Sequence, residues 1–412
     1  MILLNNLLTI ALLVAFVGTA FSVFNCLLNR NTLCRLARCD SKSQPFVSVL
    51  IPCRNEQEYI AECIDSFLSQ KYRNLEILIL DDHSEDHSAK ILSDYESCYD
   101  NVAIIQGQKL PNGWTGKNWA CHQLYMESKG EVLLYCDADT KMDRELIKDS
   151  VSVLEARALG FLTLFPQRNG GNLFDRWIWS FTSWVISSWI PLWLAYRTRI
   201  GVLAVGFGQF LMLRRSAYEA IGGYEKLRAN SLDDFEIARR IQSAGIDWRV
   251  HSGVGRLTTA SYRSTKDAVE GYGKSIFPAL GGNGLTLSVA WLFLANLTWT
   301  PVVVLISESM HWITLTKDQL QLASLCVAAI LVSWALSAVK LKISTVTILL
   351  YPIAITSILY TAVISYINIR CGTMLWKDRV IRVTHEIAEF DQQASRKSLE
   401  SASDASTGKP ET

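Results

Sequence analysis

The sequence lacks an excess of charge of either sign. Its 40 Lys and Arg residues are balanced by 39 Asp and Glu residues, for a formal net charge of +1. Nucleic-acid-binding proteins usually carry a basic surface, so this balance argues against a nucleic-acid partner. CxxC pairs and Cys/His clusters with zinc spacing are also missing, and the 10 Cys residues are scattered. We therefore expect neither a disulfide framework nor a structural metal site, and we expect a reducing compartment.

Two common nucleotide-binding motifs are missing as well. No GxGxxG follows the first predicted strand, and no GxxxxGK[ST] occurs anywhere in the chain. The first motif holds the diphosphate of a dinucleotide, and the second surrounds the phosphates of a nucleoside triphosphate. Their absence argues against a dinucleotide-dependent oxidoreductase and against a P-loop NTPase.

The sequence is rich in apolar residues, and its first uncharged run begins at residue 1. Residues 1–29 contain no charged side chain, and the run 7–28 is long enough to cross about 30 Å of hydrocarbon. No basic segment of the signal-peptide type precedes this run. Four basic residues follow it, namely Arg30, Arg35, Arg38 and Lys42. Such a cluster normally stays on the cytoplasmic side. We therefore predict a transmembrane anchor and basic linker over residues 1–44, with the central region in the cytoplasm at a cell inner membrane.

Further uncharged runs lie near the other end, at 285–307, 320–339 and 343–369. If each run crossed once, the chain would end outside the cell, whereas the basic segment that follows favours the cytoplasmic side. We therefore expect three or four spans in all, with one of the late runs re-entrant or interfacial. The prediction is C-terminal transmembrane helices with a basic segment over 285–382, then a disordered polar tail over 383–412.

We predict a cytoplasmic domain over residues 45–284, between the apolar ends. Strands and helices alternate in it between residues 45 and 255. Short apolar runs rich in β-branched residues and closed by polar turns predict strands, and apolar residues at helical spacing predict a helix over 57–70. The predicted strands are 46–53, 74–82, 102–107 and 131–139. This alternation predicts an α/β fold with a mainly parallel sheet.

Polar clusters follow three of these strands. They are Arg54-Asn55-Glu56, Asp81-Asp82, and the pair Asp137 and Asp139. Ligands of such sheets bind beyond the carboxyl ends of the strands. Two carboxylates separated by one residue suit Mg²⁺ or Mn²⁺ that also binds a diphosphate. The alternative is that these aspartates cap the following helix, or, for Asp82, belong to an Asx-rich turn.

Five segments of the central region together resemble glycosyltransferase family 2, over roughly residues 45–255. They are "VSVLIPCRNE" (47–56), "ILILDDHSED" (77–86), "CDADT" (136–140), "GFGQFLMLRRSAYEAIGGYE" (206–225) and "DDFEIARRIQSAG" (233–245). The resemblance implies the Rossmann-like GT-A fold, which binds nucleotide sugars. It also implies that Pro52 and Glu56 lie beside the uracil, that Asp82 contacts the uridine, and that Asp137 and Asp139 serve the ribose, diphosphate and metal.

The same resemblance implies roles on the acceptor side. Asp234 matches the catalytic base of the family, and Asp233 stands where many members have Glu, so either carboxylate is a candidate. Gly208 and Gln209 lie where family members shape the acceptor side. The substrates implied are a nucleotide-sugar donor and, through the membrane segments, a lipid acceptor.

A narrower resemblance involves "LPNGWTGKNWACHQ" (110–123) and the aromatic stretch at 173–196. Both are similar to glycosyltransferases that modify carotenoids and hopanoids, such as chlorobactene glucosyltransferase. We expect Lys117 to contact the departing phosphate, although a solvated lysine at a helix start is an equal alternative. We expect the Trp-rich segment 174–196, which includes Trp184, to lie at the membrane interface on the acceptor side.

The function implied is an inverting transferase that moves one sugar, with glucose from UDP-glucose expected, to the hydroxyl of a carotenoid-like isoprenoid. The QxxRW motif of processive synthases is absent, which favours a single transfer. One alternative is transfer to a polyprenyl phosphate or a ceramide-type lipid, and another is a non-catalytic membrane scaffold.

Overall fold

The structure, a computed structural model, describes residues 2–36, 43–376, 379 and 380. Arg38, Lys42 and the predicted disordered tail lie outside the described residues. The helices are α1 (Ile2–Leu28), α2 (Ile60–Leu68), α3 (Ser88–Cys98), α4 (Gly116–Glu127), α5 (Leu146–Ala156), α6 (Leu173–Ser188), α7 (Leu192–Ala195), α8 (Arg215–Ala220), α9 (Asp233–Ser243), α10 (Thr265–Ala279), α11 (Gly284–Ser309), α12 (Lys317–Leu341), α13 (Thr345–Leu349) and α14 (Tyr351–Arg370). The strands are β1 (Val47–Cys53), β2 (Leu75–Asp81), β3 (Val102–Gln106), β4 (Val132–Tyr135), β5 (Thr140–Met142), β6 (Phe161–Phe165), β7 (Gln167–Arg168), β8 (Leu211–Arg214), β9 (Trp248–Ser252), β10 (Leu257–Thr259), β11 (Leu375–Trp376) and β12 (Arg379–Val380).

Seven strands form the main sheet, in the order β3-β2-β1-β4-β8-β6-β9. The first four are parallel neighbours, and β8 runs antiparallel between β4 and β6. Side chains alternate between two apolar layers, so that Leu50 belongs to one layer and Val49 and Ile51 to the other. The predicted α/β fold with a mainly parallel sheet is confirmed, and β8 is its antiparallel exception.

A smaller sheet supports the turn that follows β4. Its three strands are ordered β5-β10-β7, and Thr259 of β10 lies opposite Thr140 of β5. Because β5 begins directly after Asp139, this pairing fixes the end of the turn that carries Asp137 and Asp139. The predicted strand 131–139 therefore ends at Tyr135, and both aspartates lie in the turn.

Four helices among the described residues are long and apolar enough to cross a membrane. They comprise Asn5–Leu28, Gly284–Ser309, Lys317–Leu341 and Tyr351–Arg370. α1 and α12 run side by side in the same direction: Gln319 Nε2 donates to Asn5 Oδ1 at one end, and Cys26 Sγ lies 3.8 Å from Ser337 Oγ near the other. Apolar helices at both ends of the chain agree with the predicted arrangement.

α14 packs against α10, α11 and α12. Near its start, the Tyr351 ring packs against Trp334, two turns before the end of α12, with ring centroids 6.4 Å apart. Near its end, Tyr366 packs against Phe277 of α10 and lies beside Gly284, the first residue of α11. The number of spans, and whether one late apolar run is re-entrant or interfacial, stays a prediction.

Candidate active site

The loops after β1 and β2 are fixed against each other. Arg54 Nη1 donates a hydrogen bond to the carbonyl oxygen of Asp82 at 2.7 Å. The backbone N–H of Glu56 donates to Ser88 Oγ at 2.8 Å. Pro52 is the penultimate residue of β1. The predicted donor residues Pro52, Glu56 and Asp82 therefore lie at one edge of the sheet.

The first turn of α9 holds both candidate catalytic carboxylates. Backbone N–H groups without helical partners favour negative charge there. The N–H of Phe235 donates to Asp234 Oδ1 at 2.8 Å, and the N–H of Gly208 donates to Asp234 Oδ2 at 3.1 Å. Asp233 is only 6% exposed, whereas Asp234 is partly exposed. Asp234 is therefore the carboxylate of the two that a ligand reaches more easily.

Lys117 joins the turn after β4 to the start of α9. Its Nζ lies 3.0 Å from Asp137 Oδ1 and 3.4 Å from Asp233 Oδ2. The lysine lies in the first turn of α4, where the Thr115 side chain caps the helix. Asp137 Oδ2 accepts a hydrogen bond from Gln209 Nε2 at 3.0 Å. The structure thus brings four predicted site residues together, namely Lys117, Asp137, Asp233 and Gln209. A contact between Lys117 and phosphate stays a prediction.

Two glycines allow the backbone to approach this cluster closely. A Cβ at Gly206 would lie 2.2 Å from the carbonyl oxygen of Asp234, which no real side chain could tolerate. A Cβ at Gly208 would lie 3.1 Å from Lys117 Nζ and 3.5 Å from Asp137 Oδ2. The segment before β8 can therefore contact α9 only because these positions carry no side chain.

Burial and neighbouring charges shift the pKa values of Asp234 and Lys117. Burial raises the pKa of Asp234 to about 6; the Asp233 carboxylate acts in the same direction, and the Lys117 ammonium opposes both. At Lys117, burial acts to lower the pKa, but the carboxylates of Asp137 and Asp233 outweigh it and hold the pKa well above its usual value. At neutral pH the cluster therefore contains a cationic lysine and an ionised Asp234 that can accept a proton.

A cavity of about 300 Å³ borders the turn after β4. Charged side chains in its wall are Asp139, Lys141 and Arg263. Thr259 Oγ1 donates a hydrogen bond to Asp139 Oδ1 at 3.1 Å, which orients the carboxylate. Lys141 is ion-paired with Glu62 and Arg263 with Glu58, so an anionic ligand accompanied by a cation would share these two cationic side chains with their glutamates.

The donor atoms around Asp139 can be tested against a divalent metal. Across the described ranges, no group of three or more His, Cys, Asp or Glu side chains could hold a metal ion. Asp139 borders the cavity, while the Asp137 carboxylate is engaged by Lys117 and Gln209. Mg²⁺ and Mn²⁺ often take one or two carboxylates from a protein and the remaining ligands from phosphate and water. Asp139 fits that pattern, and Asp137 as a second ligand stays a prediction.

Trp184, a predicted acceptor-side residue, lies inside the helix bundle. Its indole stacks on Trp334 with ring centroids 5.3 Å apart, and its Nε1 donates to Ser333 Oγ at 2.8 Å. The side chain is fully buried. These contacts give Trp184 a packing role between α6 and α12, and a contact with the acceptor stays a prediction.

Tyr224 is a site residue that the sequence did not single out. Its hydroxyl donates to Asp233 Oδ2 at 3.1 Å, and its side chain is fully buried. It lies within the "GGYE" segment, but nothing in that pattern shows that its hydroxyl reaches the start of α9.

Arg168 was also missed. Its Nη1 lies 3.0 Å from Asp175 Oδ1, and its guanidinium lies over the rings of Trp179 and Tyr262, each 4.9 Å from the centroid. Arg168 therefore links β7 to α6 behind the wall of the cavity. Only the position of Arg168 just after an apolar strand could have pointed to this role.

The central part of the chain matches a known protein family. Residues 48–222 match the family described as "Glycosyl transferase family 2". The 4,4'-diaponeurosporenoate glycosyltransferase of Staphylococcus haemolyticus is 22% identical over 266 residues, which are 61% of this chain and 68% of that protein. The beta-monoglucosyldiacylglycerol synthase of Trichormus variabilis is 26% identical over 204 residues, which are 48% of this chain and 42% of that protein. The chain thus spans between 42% and 68% of the length of these two relatives.

A solved structure shares the fold. The mannosyltransferase PcManGT from Pyrobaculum calidifontis, in complex with GDP-Man and Mn²⁺, superposes with a TM-score of 0.53. The alignment has 16% sequence identity and covers 87% of this chain and 98% of that one. At this identity the likeness shows the fold alone.

Proposed function

We propose, from the membership of residues 48–222 in glycosyltransferase family 2, that the protein is a hexosyltransferase that moves one sugar from a nucleotide sugar to a lipophilic acceptor. The observation that carries this proposal is the position of Asp234. Its partly exposed carboxylate is fixed by two backbone donors at the start of α9, beside the cluster that contains Lys117 and Asp137.

The reaction needs a base, because a hydroxyl is a poor nucleophile near neutral pH. The acceptor oxygen would attack the anomeric carbon as the bond to the diphosphate breaks, and its proton would pass to Asp234. A pKa of about 6 suits this task, because the carboxylate is ionised at neutral pH yet basic enough to take the proton. Attack from the side opposite the leaving group inverts the anomeric carbon.

The donor would occupy the edge of the sheet and the cavity beside Asp139. Pro52, Glu56 and Asp82 would contact the nucleoside, for which uridine is our proposal, and glucose is the sugar we expect. Asp139 would hold Mg²⁺ or Mn²⁺, which when bound would neutralise charge on the departing diphosphate. The cations of Lys141 and Arg263 would add to that stabilisation from the cavity wall.

The acceptor we propose is a hydroxylated isoprenoid of the carotenoid type. The relatives whose names include diaponeurosporenoate and glucosyldiacylglycerol both point to large lipophilic acceptors. The second name makes a glycerolipid the second candidate. Four apolar helices agree with an acceptor that stays in a membrane, and the basic residues after α1 favour a catalytic domain on the cytoplasmic side.

The test uses the purified full-length protein in lipid nanodiscs with labelled UDP-glucose and a carotenoid alcohol or a monoacylated or diacylated glycerol. Mass spectrometry of the lipid product should show the addition of one hexose. Asp234→Asn should abolish transfer while the affinity for UDP with Mn²⁺, measured by calorimetry, stays unchanged. Transfer by Asp234→Asn at the rate of the unsubstituted protein would refute the role of the base.

A further inference from the structure

The surface beside α9 exposes apolar side chains that the proposed reaction does not use. Val202 is 82% exposed and Ile200 is 48% exposed, and Phe235, which follows Asp234, is 38% exposed. Arg197 and Arg199, in the same segment as Ile200 and Val202, are exposed as well. We call residues 197–202 together with Phe235 the rim.

The parts of the rim share one surface. A Cβ at Gly201 would lie 2.7 Å from Arg239 Cγ, so the chain at Gly201 packs on the hydrocarbon stem of that arginine. Phe235 lies one helical turn before Arg239, and residues four apart project from the same face of a helix. The guanidinium of Arg239 is turned to Glu236, with Nε 2.7 Å from Oε2. The stem of Arg239 thus joins Phe235 to the exposed residues around Gly201.

The rim begins where α1 ends. Asn29 Oδ1 accepts a hydrogen bond from the backbone N–H of Leu192 at 3.1 Å, and Asn25 Oδ1 accepts one from Trp193 Nε1 at 3.0 Å. These bonds fix α7 beside the last turn of α1, and Arg197 follows two residues after α7. If α1 crosses a bilayer, the rim starts at the surface of that bilayer.

The composition of the rim suits the boundary between lipid headgroups and hydrocarbon. Exposed aliphatic and aromatic side chains enter the hydrocarbon, while arginines extend their charge to the headgroups. Anionic headgroups attract such arginines. We propose that the rim contacts this boundary in an anionic bilayer, so that the Asp234 side of the catalytic domain faces lipid. The proposal concerns the protein in a membrane without substrates, and it stands apart from the proposed reaction.

Fluorescence quenching in nanodiscs tests the contact. Val202→Cys is introduced into the full-length chain together with Cys98→Ser and Cys371→Ser, which removes the exposed native thiols of the described residues. The new thiol is labelled with bimane, and the discs contain phosphatidylcholine, phosphatidylglycerol and a phosphatidylcholine with a nitroxide near the headgroup. The matched control keeps Cys98, which is exposed on α3, as the labelled site. Label on the chain without either thiol is subtracted.

The bimane at position 202 should be quenched at least about twofold more strongly than the one at Cys98, because the rim enters the depth of the nitroxide. Equal quenching at the two sites would overturn the proposal. Quenching at position 202 that requires an added carotenoid alcohol, or two chains per disc, would also overturn it and assign the rim to the acceptor or to a second copy. Arg197→Gln with Arg199→Gln should weaken the quenching, as should removal of phosphatidylglycerol. Insensitivity to both changes would contradict the anionic partner. Equal thermal unfolding midpoints for labelled and unlabelled chains confirm that the fold is unchanged.

Discussion

The backbone N–H of Gly208 donates a 3.1 Å hydrogen bond to the Oδ2 atom of Asp234. This bond joins the segment before β8 to the start of α9. Gly208, which was predicted for the acceptor side, therefore also orients Asp234, the proposed base. Any change that separates the two segments should reduce turnover before it affects the binding of the donor.

Gly206→Ala should create such a separation, because the new Cβ would lie 2.2 Å from the carbonyl oxygen of Asp234. Displacement of the proposed base by about 1 Å can lower the rate on the order of 100-fold. Initial rates of transfer measure the effect. Gly284→Ala is the matched control, since its Cβ would meet Tyr366 at an ordinary 3.6 Å, and it should retain activity. Equal rates for the two variants would contradict the prediction.

The pH dependence of turnover should report the raised pKa of Asp234. The carboxylate must be ionised to accept a proton, so kcat/KM should fall as the pH is lowered through about 6. Calorimetry of UDP binding over the same range separates this effect from loss of the donor. A decline that begins only near pH 4, the range of an ordinary aspartate, would rule out the shift.

The raised pKa of Asp234 also affects the free energy of unfolding, but with the opposite dependence on pH from turnover. A raised pKa means that the folded chain holds the proton of Asp234 more tightly than the unfolded chain does. The stabilisation from that proton is complete below the pKa of the unfolded chain and is lost as the pH rises through about 6. Asp234→Asn should therefore flatten this part of the unfolding profile.

Tyr224→Phe should destabilise the fold, because it removes the hydroxyl that donates to the buried Oδ2 of Asp233. A buried acceptor that loses its donor costs about 1–3 kcal/mol in the free energy of unfolding. Tyr125→Phe is the control, since that hydroxyl donates to Glu219 at an exposed site, and it should cost less than about 1 kcal/mol. Denaturant unfolding in detergent compares the two, and a larger loss for Tyr125→Phe would count against this account.

Asp139→Ala should abolish the part of the UDP affinity that depends on Mn²⁺. Thr259→Val should weaken it by about tenfold, because the Thr259 hydroxyl orients Asp139 Oδ1. Calorimetric titration with and without Mn²⁺ measures both effects. Titrations with a chelator present are the control, and there the two variants should match the unsubstituted protein. Undiminished Mn²⁺ dependence in Asp139→Ala would remove Asp139 from the metal site.

Arg168→Ala should lower the free energy of unfolding by about 3–5 kcal/mol, because it leaves the buried carboxylate of Asp175 without its cation. Lys266→Ala, which removes an exposed partner of Glu270, should cost less than about 0.5 kcal/mol. The double variant Arg168→Met with Asp175→Asn should recover part of the loss, since no unpaired charge remains. An Arg168→Ala variant as stable as Lys266→Ala would refute the structural role of Arg168.

Strands β1 to β4 were predictable because each is a short apolar run followed by polar residues, whereas β6, β8 and β9 of the same sheet were not predicted. The run 46–53 corresponds to β1, Val47–Cys53, and the edge rule for parallel sheets placed Asp82 and Asp137 at the same side. The antiparallel insertion of β8 was not predictable, since an apolar strand pattern contains no information about its neighbours or direction. The small sheet was missed because its strands have only two or three residues.

The contacts within the site depend on packing between segments far apart in the chain. Lys117 reaches Asp233 because α4 and α9 both contact residues 224–227, through Asn118 and Asp233, and no local spacing relates Lys117 to Asp233. The Trp-rich segment illustrates the same limit. Its composition predicted an interface, but the stacking partner of Trp184 is Trp334, which belongs to a distant helix.

The single ammonium of Lys117 balances two carboxylates with different proposed tasks, Asp137 for the donor and Asp233 next to the proposed base. Altering one of these acids redistributes the electric field at the other. An engineer who edits Asp137 to admit a new sugar would therefore also retune proton acceptance. For the proposed reaction, donor preference and catalytic rate would therefore have to be redesigned together.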